Sequence, residues 1–281
     1  MRNDFAIFIL SHGRANNQIT LKTLRKAGYT GKWDIVVDDS DEQKDEYVEK
    51  YGDHIIVFDK NAEYEKADTF TNEKYLKCIL YARNACEKIA KKNEFKYFCQ
   101  LDDDITSLVY RYEDDEKAKS KNVTNLDDLL EAYIDFLESG NISCASFATQ
   151  NAFIGGVSSL RSEPNRRCFN VFFRNVNIPV KWRCAMNEDY ITSILEGMTG
   201  KVFIEPKFVG VGTKEVGKGT QTGGMKETYA YMSDYERCFY AVIAAPSAFS
   251  VEQNLKKFQI TLRKDFSVPK ILNERWRKHA R

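Results

Sequence analysis

The chain has 281 residues, of which 43% are hydrophobic, and a formal net charge of +1 at pH 7. A chain of this length can bury roughly three quarters of its unfolded surface, so we predict a single domain with insertions. The balanced charge excludes a protein that coats nucleic acid over its whole surface, and no stretch reaches the roughly 18 apolar residues of a membrane span.

Four apolar runs predict the strands of one sheet. These runs are Phe5 to Leu10, Trp33 to Val37, His54 to Phe58 and Tyr97 to Leu101. Helices are predicted between them, over residues 20–27, up to residue 51, and over residues 73–92, where apolar residues recur every three or four positions. This alternation requires parallel strands with right-handed crossovers, as in a nucleotide-binding α/β half. The first run is interpreted as a strand and not as a signal peptide.

Polar or acidic residues follow each of these strands. Because the carboxyl ends of parallel strands meet at one edge of a sheet, we expect these residues to line a common crevice. They are Ser11, His12, Gly13 and Arg14, then Asp38 and Asp39, then Asp59, and finally Asp102, Asp103 and Asp104.

The three consecutive aspartates after the fourth strand predict a cation site. In an extended segment Asp102 and Asp104 point to one face and Asp103 to the other. Carboxylates brought together in this way repel each other unless they share a hard cation such as Mg2+ or Mn2+. The alternative is a solvated loop in which one aspartate caps a short helix through Ile105 to Leu108. The pattern favours the metal site.

The second half of the chain is less regular. Predicted strands lie at residues 143–148, 171–173 and 202–205, and predicted helices at residues 126–137, 187–195, 233–244 and from 250 onward. Gly155 and Gly156 indicate a close backbone approach, and the glycine-rich residues 210–224, with Lys214 and Lys218, predict a mobile loop that could close over phosphates.

Two basic stretches, residues 161–183 and 256–281, are interleaved with Phe172, Trp182 and Trp276. Basic and aromatic side chains in alternation are typical of surfaces that follow a DNA backbone. The alternative is ordinary solvated surface. The seven cysteines are odd in number and form no CxxC pair, so we expect reduced, mostly buried thiols in a cytoplasmic protein and neither a disulfide framework nor a zinc site.

Four motifs in order resemble the TET-associated glycosyltransferases of phages, which have the GT-A fold. They are Leu10-Ser11-His12-Gly13-Arg14-Ala15-Asn16, Phe58-Asp59-Lys60, Ala82-Arg83-Asn84 and Gln100-Leu101-Asp102-Asp103-Asp104. Further along, Asn187-Glu188-Asp189 is similar to the acidic xED element of GT-A enzymes. The resemblance implies a GT-A-like α/β sandwich with a central, mostly parallel sheet flanked by helices. We expect a nucleotide-sugar-binding half (1–110), an acceptor half (111–245) and a basic extension (246–281).

The resemblance also implies an activity. A sugar, expected to be of glucose type, would move from a UDP-sugar to a hydroxymethylated base in DNA, commonly 5-hydroxymethylcytosine, with Mn2+ or Mg2+ at the DxD motif. A phage enzyme of this kind would work in the host cytoplasm. Three alternatives stay open: transfer to a protein, glycan or small molecule, a nucleotide-binding or DNA-binding module without turnover, and phosphoryl or nucleotidyl transfer at the same aspartates.

The roles of the donor-site residues follow from the resemblance. Asp104 would bind the metal directly, Asp102 would bind it through water or touch the ribose, and Asp103 would orient the loop and matter less. Arg83 would reach the diphosphate, or would be a helix-surface arginine paired with an acid. The residues expected to bind the donor are Ser11, His12, Gly13, Arg14, Asp38, Asp39, Arg83, Asp102 and Asp103. Of these, His12 could equally be structural, and Asp38 and Asp39 could form a plain turn.

Glu188 and Asp189 are the predicted catalytic residues. Asp189 would take the proton of the acceptor hydroxyl as general base if the enzyme inverts, whereas in a retaining enzyme the leaving phosphate takes that role. The alternative is a helix start in which Asn187 is the N-cap and both acids interact with the helix dipole. The only histidines are His12, His54 and His279. Without a C-terminal histidine in a suitable place, the metal would be held by carboxylate, diphosphate and water, or the enzyme would not need a metal.

Overall fold

The computed structural model describes residues 1–71, 74, 77–214, 232–254 and 257–267. Its strands are β1 (Phe5–Leu10), β2 (Lys32–Asp38), β3 (Ile55–Phe58), β4 (Tyr97–Asp102), β5 (Ile105–Asp114), β6 (Lys117–Asn122), β7 (Cys144–Ala145), β8 (Ala148–Thr149), β9 (Val171–Asn175), β10 (Phe203–Ile204), β11 (Val209–Thr213), β12 (Phe249–Asn254) and β13 (Lys257–Leu262). Its α-helices are α1 (Ile19–Lys26), α2 (Lys44–Tyr51), α3 (Lys60–Tyr64), α4 (Leu80–Lys92), α5 (Leu126–Ser139), α6 (Val157–Arg161), α7 (Glu188–Met198) and α8 (Asp234–Ala244).

A seven-stranded sheet in the order β10-β7-β9-β4-β1-β2-β3 organises the fold. Strands β4, β1, β2 and β3 are parallel to one another, and β9 runs antiparallel to β4 and β7. All six residues of β1 are buried, as expected for a central strand covered on both faces. The predicted α/β class with a mostly parallel sheet is therefore confirmed.

Helices cover both faces of this sheet. Leu21 and Leu24 of α1, together with the apolar residues of α5, share one core with Ile7 and the other side chains on that face of β1. Cys86 of α4 packs with Phe8 on the opposite face. Since successive side chains of a strand alternate between faces, these contacts assign α1 and α5 to one side of the sheet and α4 to the other.

The sheet is continuous across the two predicted halves of the chain. β9, from the second half, pairs directly with β4, from the first. A second sheet, in the order β6-β5-β11-β8, contains the strand that follows the aspartates, and β12 and β13 form a separate hairpin. None of the helices in the described part of the chain combines the length and the apolar character of a membrane span.

Several predicted elements are confirmed, but two are wrong. Residues 105–108 begin strand β5, which excludes the alternative of a short helix after the aspartates. The helix predicted over residues 73–92 begins at Leu80, and residues 72, 73, 75 and 76 lie outside the described part. From Ser250 onward the chain forms the β12–β13 hairpin, in which Phe258, Ile260 and Leu262 alternate with polar residues, a strand period and not a helical one.

Three further expectations change in detail. The predicted strand over residues 143–148 divides into β7 and β8, which belong to different sheets. A Cβ atom at Gly155 would lie 2.6 Å from Ser159 Oγ, so the predicted close approach is present there. Gly156 has φ of +60° with nothing within 4 Å of the position of a Cβ atom, so its backbone conformation and not a close approach accounts for it. Of the glycine-rich residues 210–224, residues 210–213 belong to β11, and residues 215–224, with Lys218, lie outside the described part.

The interpretation of residues 161–183 as a DNA-following surface is wrong for several of its members. Phe172, Trp182 and Arg174 are completely buried, and Arg166 is nearly so. These side chains are part of the core and cannot touch a DNA backbone. Residues 268–281 of the second basic stretch, with Trp276 and His279, lie outside the described part. All seven cysteines are free thiols and six are buried, which confirms the expectation for them.

Candidate active site

The carboxyl ends of the parallel strands meet at one edge of the sheet, as predicted. In the register of the sheet, Leu10 at the end of β1 lies beside Asp102 of β4 on one side and Val36 of β2 on the other. The loops that follow β1, β2 and β4 therefore leave the sheet at the same level. This alignment results from the parallel ladder itself, since neighbouring strands keep one register over their whole length.

Asp103 joins the loop after β1 to the loop after β4. The Ser11 hydroxyl donates a hydrogen bond of 2.6 Å to Asp103 Oδ2, and Arg14 Nη1 is hydrogen-bonded to Oδ1. Tyr47 and Gln18 contact the same Ser11 hydroxyl at 2.7 and 2.8 Å. Asp103 is only 4% exposed, so its carboxylate is committed to these partners. Its position fits the predicted loop-orienting role better than direct contact with a donor.

His12, Asp38 and Lys60 form an ion cluster at the ends of β1, β2 and β3. Asp38 Oδ2 lies 2.8 Å from His12 Nδ1, and Asp38 Oδ1 lies 3.0 Å from Lys60 Nζ. The hydrogen bond to Asp38 raises the pKa of His12. His12, Lys60 and Ser40 together outweigh the effect of burial and lower the pKa of Asp38 well below its usual value.

The neighbouring backbone groups are held by two other carboxylates. Asp39 is exposed and accepts a hydrogen bond from the Lys60 backbone N–H at 3.0 Å. Gly13, with φ of +65°, donates its backbone N–H to Asp41 at 2.8 Å. The predicted donor-site residues Ser11 to Arg14, Asp38 and Asp39 thus lie together at one edge of the sheet.

Arg83 bridges the aspartate motif and the start of α7. Its Nη2 donates to Asp102 Oδ1 at 3.1 Å and its Nε donates to Glu188 Oε1 at 3.0 Å. The guanidinium lies over the rings of Phe172 and Trp182, at 4.3 and 5.4 Å from their centroids. The predicted pairing with an acid is confirmed, but the side chain is 3% exposed and does not lie on the helix surface.

The two carboxyl groups that contact Arg83 have raised pKa values. Burial raises the pKa of Glu188 and of Asp102, and the charge of Arg83 opposes both shifts. Nη1 of Arg83 is buried and, among the described residues, has no hydrogen-bond partner. A buried guanidinium N–H without a partner is costly unless a ligand or water satisfies it.

Asp104 differs from the two aspartates before it. No side chain of the described residues lies within hydrogen-bond or ion-pair distance of its carboxylate, which is partly exposed. Burial and the neighbouring Asp102 and Asp103 raise the pKa of Asp104 to about 7. The Lys214 backbone N–H donates to the Asp104 carbonyl at 3.0 Å, which ties this loop to the end of β11.

Asn187 sets the direction of α7 and thereby places both predicted catalytic residues. Its backbone is left-handed, with φ of 56°, and its side chain donates to the Arg237 carbonyl at 2.7 Å and does not cap the helix. Asn187 occupies the N-cap position without a capping bond, so capping does not account for the acids that follow. Glu188 turns inward to Arg83, whereas Asp189 contacts Arg167.

Arg167 holds Asp189 through one of its two carboxylate oxygens. Its Nη2 and Nε lie 3.0 and 3.2 Å from Asp189 Oδ2. The guanidinium lies over the rings of Phe169 and Tyr190, at 3.8 and 3.4 Å from their centroids. Among the described residues no donor is hydrogen-bonded to the other oxygen, Oδ1, so it is open to accept a proton.

A polar cleft of about 570 Å³ lies beside Arg167. Its lining includes Gln150, Asn151, Asn165, Arg167, Tyr190, Glu205 and Lys214. Asn165 Nδ2 donates to Glu205 Oε1 at 2.8 Å. Burial raises the pKa of Glu205 to about 7, against the opposing effects of Asn165 and Arg167. The cleft therefore combines amide, cationic and carboxyl groups in a partly enclosed space.

The arrangement bears on the predicted metal site. The described residues contain no group of three or more His, Cys, Asp or Glu side chains that could hold a metal ion. The carboxylates do not form a complete cage, but Asp102, Asp103, Asp104, Glu188 and Asp189 outnumber Arg14, Arg83 and Arg167 by two. When all five carboxyls are ionised the excess is two negative charges. Together with the Asp104 carboxylate, which no side chain of the described residues contacts, this excess fits a divalent cation that takes its remaining ligands from a substrate and water.

Sequence reasoning missed three side chains of this site. Lys60 belonged to a quoted motif but was given no role, and Arg167 was counted only as a member of a basic stretch. Glu205 ends a predicted strand, as the other site carboxylates do, and that position was its available signal. His54, by contrast, stacks on Trp33 at a ring distance of 3.9 Å, with its Nδ1 2.9 Å from the Trp33 carbonyl.

Comparison with solved structures finds glucosyl-3-phosphoglycerate synthase from Mycobacterium tuberculosis in complex with Mg2+ and uridine diphosphate. The identity is 7%, the TM-score is 0.45, and the match covers 92% of this chain and 86% of that one. No curated protein matches the sequence. The family model of the TET-associated glycosyltransferases matches residues 5–224, which include every predicted site residue. The chain therefore belongs to the TET-associated glycosyltransferase family.

Proposed function

We propose that this glycosyltransferase moves a sugar of glucose type from a UDP-sugar to a hydroxymethylated base in DNA, with a divalent metal at Asp102 and Asp104. The observation that carries the proposal is the convergence of the aspartate motif, Arg83, Glu188 and Asp189 at the end of β4. A site for glycosyl transfer needs a group that stabilises the leaving diphosphate and a group that receives the acceptor proton, and the convergence offers both.

The donor would lie over the ends of β1, β2 and β4. The Ser11 to Arg14 loop, Asp38 and Asp39 are available to the nucleotide, and Asp102 and Asp104 to a metal on the diphosphate. A bound Mg2+ or Mn2+ would stabilise the negative charge that develops on the departing UDP. Nη1 of Arg83 has no partner within the described part of the chain, and we assign it to a diphosphate oxygen because guanidinium and phosphate geometries match.

The acceptor would meet Asp189. In an inverting reaction its open oxygen, Oδ1, accepts the hydroxyl proton as the oxygen bonds to the anomeric carbon and the bond from that carbon to UDP breaks. The electrons of the broken bond go to the diphosphate. In a retaining reaction the leaving phosphate takes the proton, and Asp189 positions the sugar or the acceptor. In both cases Arg167 fixes the orientation of Asp189 through Oδ2.

The main test uses Mn2+, a panel of UDP-sugars and hydroxymethylated DNA, with digested nucleosides analysed by mass spectrometry. We expect a hexose to be added to the modified base. Asp104→Asn should lower kcat at least about a hundredfold, the scale for losing one contact to developing charge. Asp115→Asn, the same change at an exposed turn, is the matched control and should keep wild-type turnover.

Two results would reject parts of this proposal. Full activity of Asp104→Asn, or full activity after chelation of divalent cations, would show that the enzyme does not need the proposed metal. Release of UDP without addition of a sugar to DNA would show that DNA is not the acceptor.

A second candidate is the same chemistry on a protein, glycan or small-molecule acceptor. The observation in its favour is the burial of Arg174, Phe172 and Trp182, which weakens the surface evidence for DNA. Transfer to such an acceptor in the same assay, with none to DNA, would select it. Binding of the UDP-sugar without any turnover would instead indicate a non-catalytic module.

A further inference from the structure

The C-terminal unit, which is α8 together with the β12–β13 hairpin, follows residues 5–224, the part of the chain that the family model matches. This unit packs on α7. Ile191 and Ile194 of α7 share one buried cluster with Ala241 of α8 and Phe249 of β12. Because the unit lies beyond the matched residues, its role is not part of what family membership implies and has to follow from its contacts with α7.

Two contacts join the C-terminal unit to the start of α7. The Arg237 carbonyl accepts a hydrogen bond from the Asn187 side chain at 2.7 Å. The Tyr190 ring meets the Phe249 ring edge-on, with centroids 5.9 Å apart and an interplanar angle of 88°. Phe249 is 1% exposed, so close packing fixes the position of its ring. Asp189 lies between Asn187 and Tyr190 in sequence, so the two contacts bracket it.

Tyr190 also connects Phe249 to Arg167. The guanidinium of Arg167 lies 3.4 Å from the centroid of the Tyr190 ring, and the same guanidinium is hydrogen-bonded to Asp189 Oδ2. A cation over an aromatic face is attracted by the negative face of the ring, so the position of the ring fixes the position of the guanidinium. A chain of contacts therefore runs from Phe249 through Tyr190 and Arg167 to Asp189.

The other predicted catalytic residue is held by a different part of the chain. Glu188 is hydrogen-bonded to Arg83 of α4, and Arg83 is hydrogen-bonded to Asp102. Within the described residues, the hydrogen bonds of Glu188 and of the aspartate motif involve no residue of the C-terminal unit. A disturbance of this unit should therefore reach Asp189 and leave the donor side of the site unchanged.

On the basis of the proposed function, we propose that Phe249 and Tyr190 are positioning residues. Through them the C-terminal unit holds Arg167, and thereby Asp189, in the orientation that glycosyl transfer requires. Asp189 Oδ1 can meet the acceptor hydroxyl only while Arg167 keeps hold of Oδ2. Misplacement of a reacting group by roughly 1 Å is enough to cost about a hundredfold in rate, so a small shift of this chain of contacts has a large effect.

The first test is Phe249→Leu, which removes the ring and keeps an apolar side chain. We expect kcat at saturating hydroxymethylated DNA to fall about tenfold or more, while the Kd and KM for the UDP-sugar stay within about twofold of wild type. Phe258→Leu is the matched control. It is the same substitution on the same hairpin, at a ring that is 36% exposed and contacts Tyr235, and it should keep the wild-type values.

Two further variants test the individual links. Tyr190→Leu should lower kcat in the same way, whereas Tyr190→Phe keeps the ring and should keep most of the activity. Because Tyr190 is only partly buried, this pair also decides the question if Phe249→Leu does not fold. The double variant Arg167→Gln/Phe249→Leu should be no more than about twofold slower than Arg167→Gln, since Phe249 acts through Arg167.

Hydrogen–deuterium exchange gives a measurement that does not depend on activity. In Phe249→Leu the amides of residues 187–193 should exchange faster than in wild type, and those of residues 97–104 should not change. Phe258→Leu should leave both segments unchanged.

Four results would overturn the inference. They are equal kcat for Phe249→Leu and Phe258→Leu, a loss of UDP-sugar affinity as large as the loss of kcat, a loss in Tyr190→Phe as large as in Tyr190→Leu, and unchanged exchange at residues 187–193. If wild type moves no sugar to DNA, the proposed function fails by itself. The exchange comparison then still decides whether the C-terminal unit orders the start of α7.

Discussion

Asp103 is the aspartate of the motif with the most protein contacts. Its two oxygens bind Ser11 and Arg14, from the loop after β1. We therefore expect Asp103→Ala to destabilise the protein by about 3 kcal/mol, because it leaves a guanidinium and a hydroxyl without their buried partner. Urea unfolding measures this, with Asp135→Ala, at an exposed position of helix α5, as the control. The sequence-based prediction that Asp103 matters less concerns sugar transfer and stays a prediction, whereas equal stability of the two variants would contradict the stabilising role proposed for Asp103.

The His12–Asp38 pair makes a pH-dependent contribution to stability. The pKa of His12 is raised above 6.5 in the folded state and that of Asp38 is lowered below 3.8. The His12 contribution is therefore complete below pH 6.5 and is lost as the pH rises through the raised value. The Asp38 contribution is complete above pH 3.8 and is lost as the pH falls through the lowered value.

His12→Gln should remove the loss of stability that occurs as the pH rises through the raised pKa of His12. We expect the difference in Tm between wild type and variant to be largest near pH 5 to 6 and to shrink towards pH 9. Differential scanning fluorimetry across this range measures it. Because Lys60 also pairs with Asp38, the variant should still lose stability at low pH as Asp38 becomes protonated. A Tm difference that does not change with pH would show that His12 contributes packing and no charge.

At the scale of elements, the start of α7 depends on one left-handed residue. Asn187 combines φ of 56° with a hydrogen bond to the Arg237 carbonyl, which ties α7 to α8. Both Asn187→Gly and Asn187→Ala lose this bond, but only glycine accepts the conformation at little steric cost. We expect Asn187→Ala to be less stable than Asn187→Gly by about 1 kcal/mol in urea unfolding. Equal stability would mean that the backbone changes conformation when the side chain is removed.

The elements differ in how much of them the sequence could predict. The first four strands were recognisable because each is an apolar run that ends in polar residues, and β1 is buried on both faces. The β12–β13 hairpin was missed although Phe258, Ile260 and Leu262 alternate with polar residues, since no glycine marks its turn. Helix α4 was predicted too long because apolar spacing alone does not locate an N-terminus.

The site was predictable in outline only. Strand-end carboxylates were found from the pattern, but their partners are far apart in sequence. Arg83 meets Glu188 across 105 residues, and no local pattern encodes that pairing. The same limit explains why Arg167 was counted as a surface charge, since its contact with Asp189 exists only once β9 and α7 are assembled.

At the scale of the whole molecule, Arg174 joins the two halves of the chain. It lies on β9, is completely buried, and is ion-paired with Glu87 on α4, while its Nη1 donates to the Ser143 carbonyl at 2.7 Å. The continuous sheet and this buried pair make separate folding of residues 1–110 unfavourable, because β4 would lose its β9 neighbour.

Removing Arg174 should therefore weaken the entire fold. We expect Arg174→Met to lower the free energy of unfolding by about 3–5 kcal/mol, because it leaves Glu87 charged and buried. The double variant Arg174→Met/Glu87→Gln should recover at least about 1 kcal/mol, since the unpaired charge is gone. Unfolding followed by fluorescence and by circular dichroism should give coincident transitions. Two separate transitions, or no recovery in the double variant, would contradict this view of the fold.

The two ion pairs of Arg83 affect which substitutions the site can accept during evolution. Asp102 and Glu188 share one buried guanidinium, so a change at Arg83 leaves both acids without it, and a change at either acid leaves Arg83 with one carboxylate instead of two. A single substitution at one of these three positions is therefore expected to destabilise the protein. Substitutions at two or three of the positions together are expected to be tolerated better during evolution. Among relatives of this chain, we expect these three positions to vary together, so that a protein lacking Glu188 also lacks Arg83.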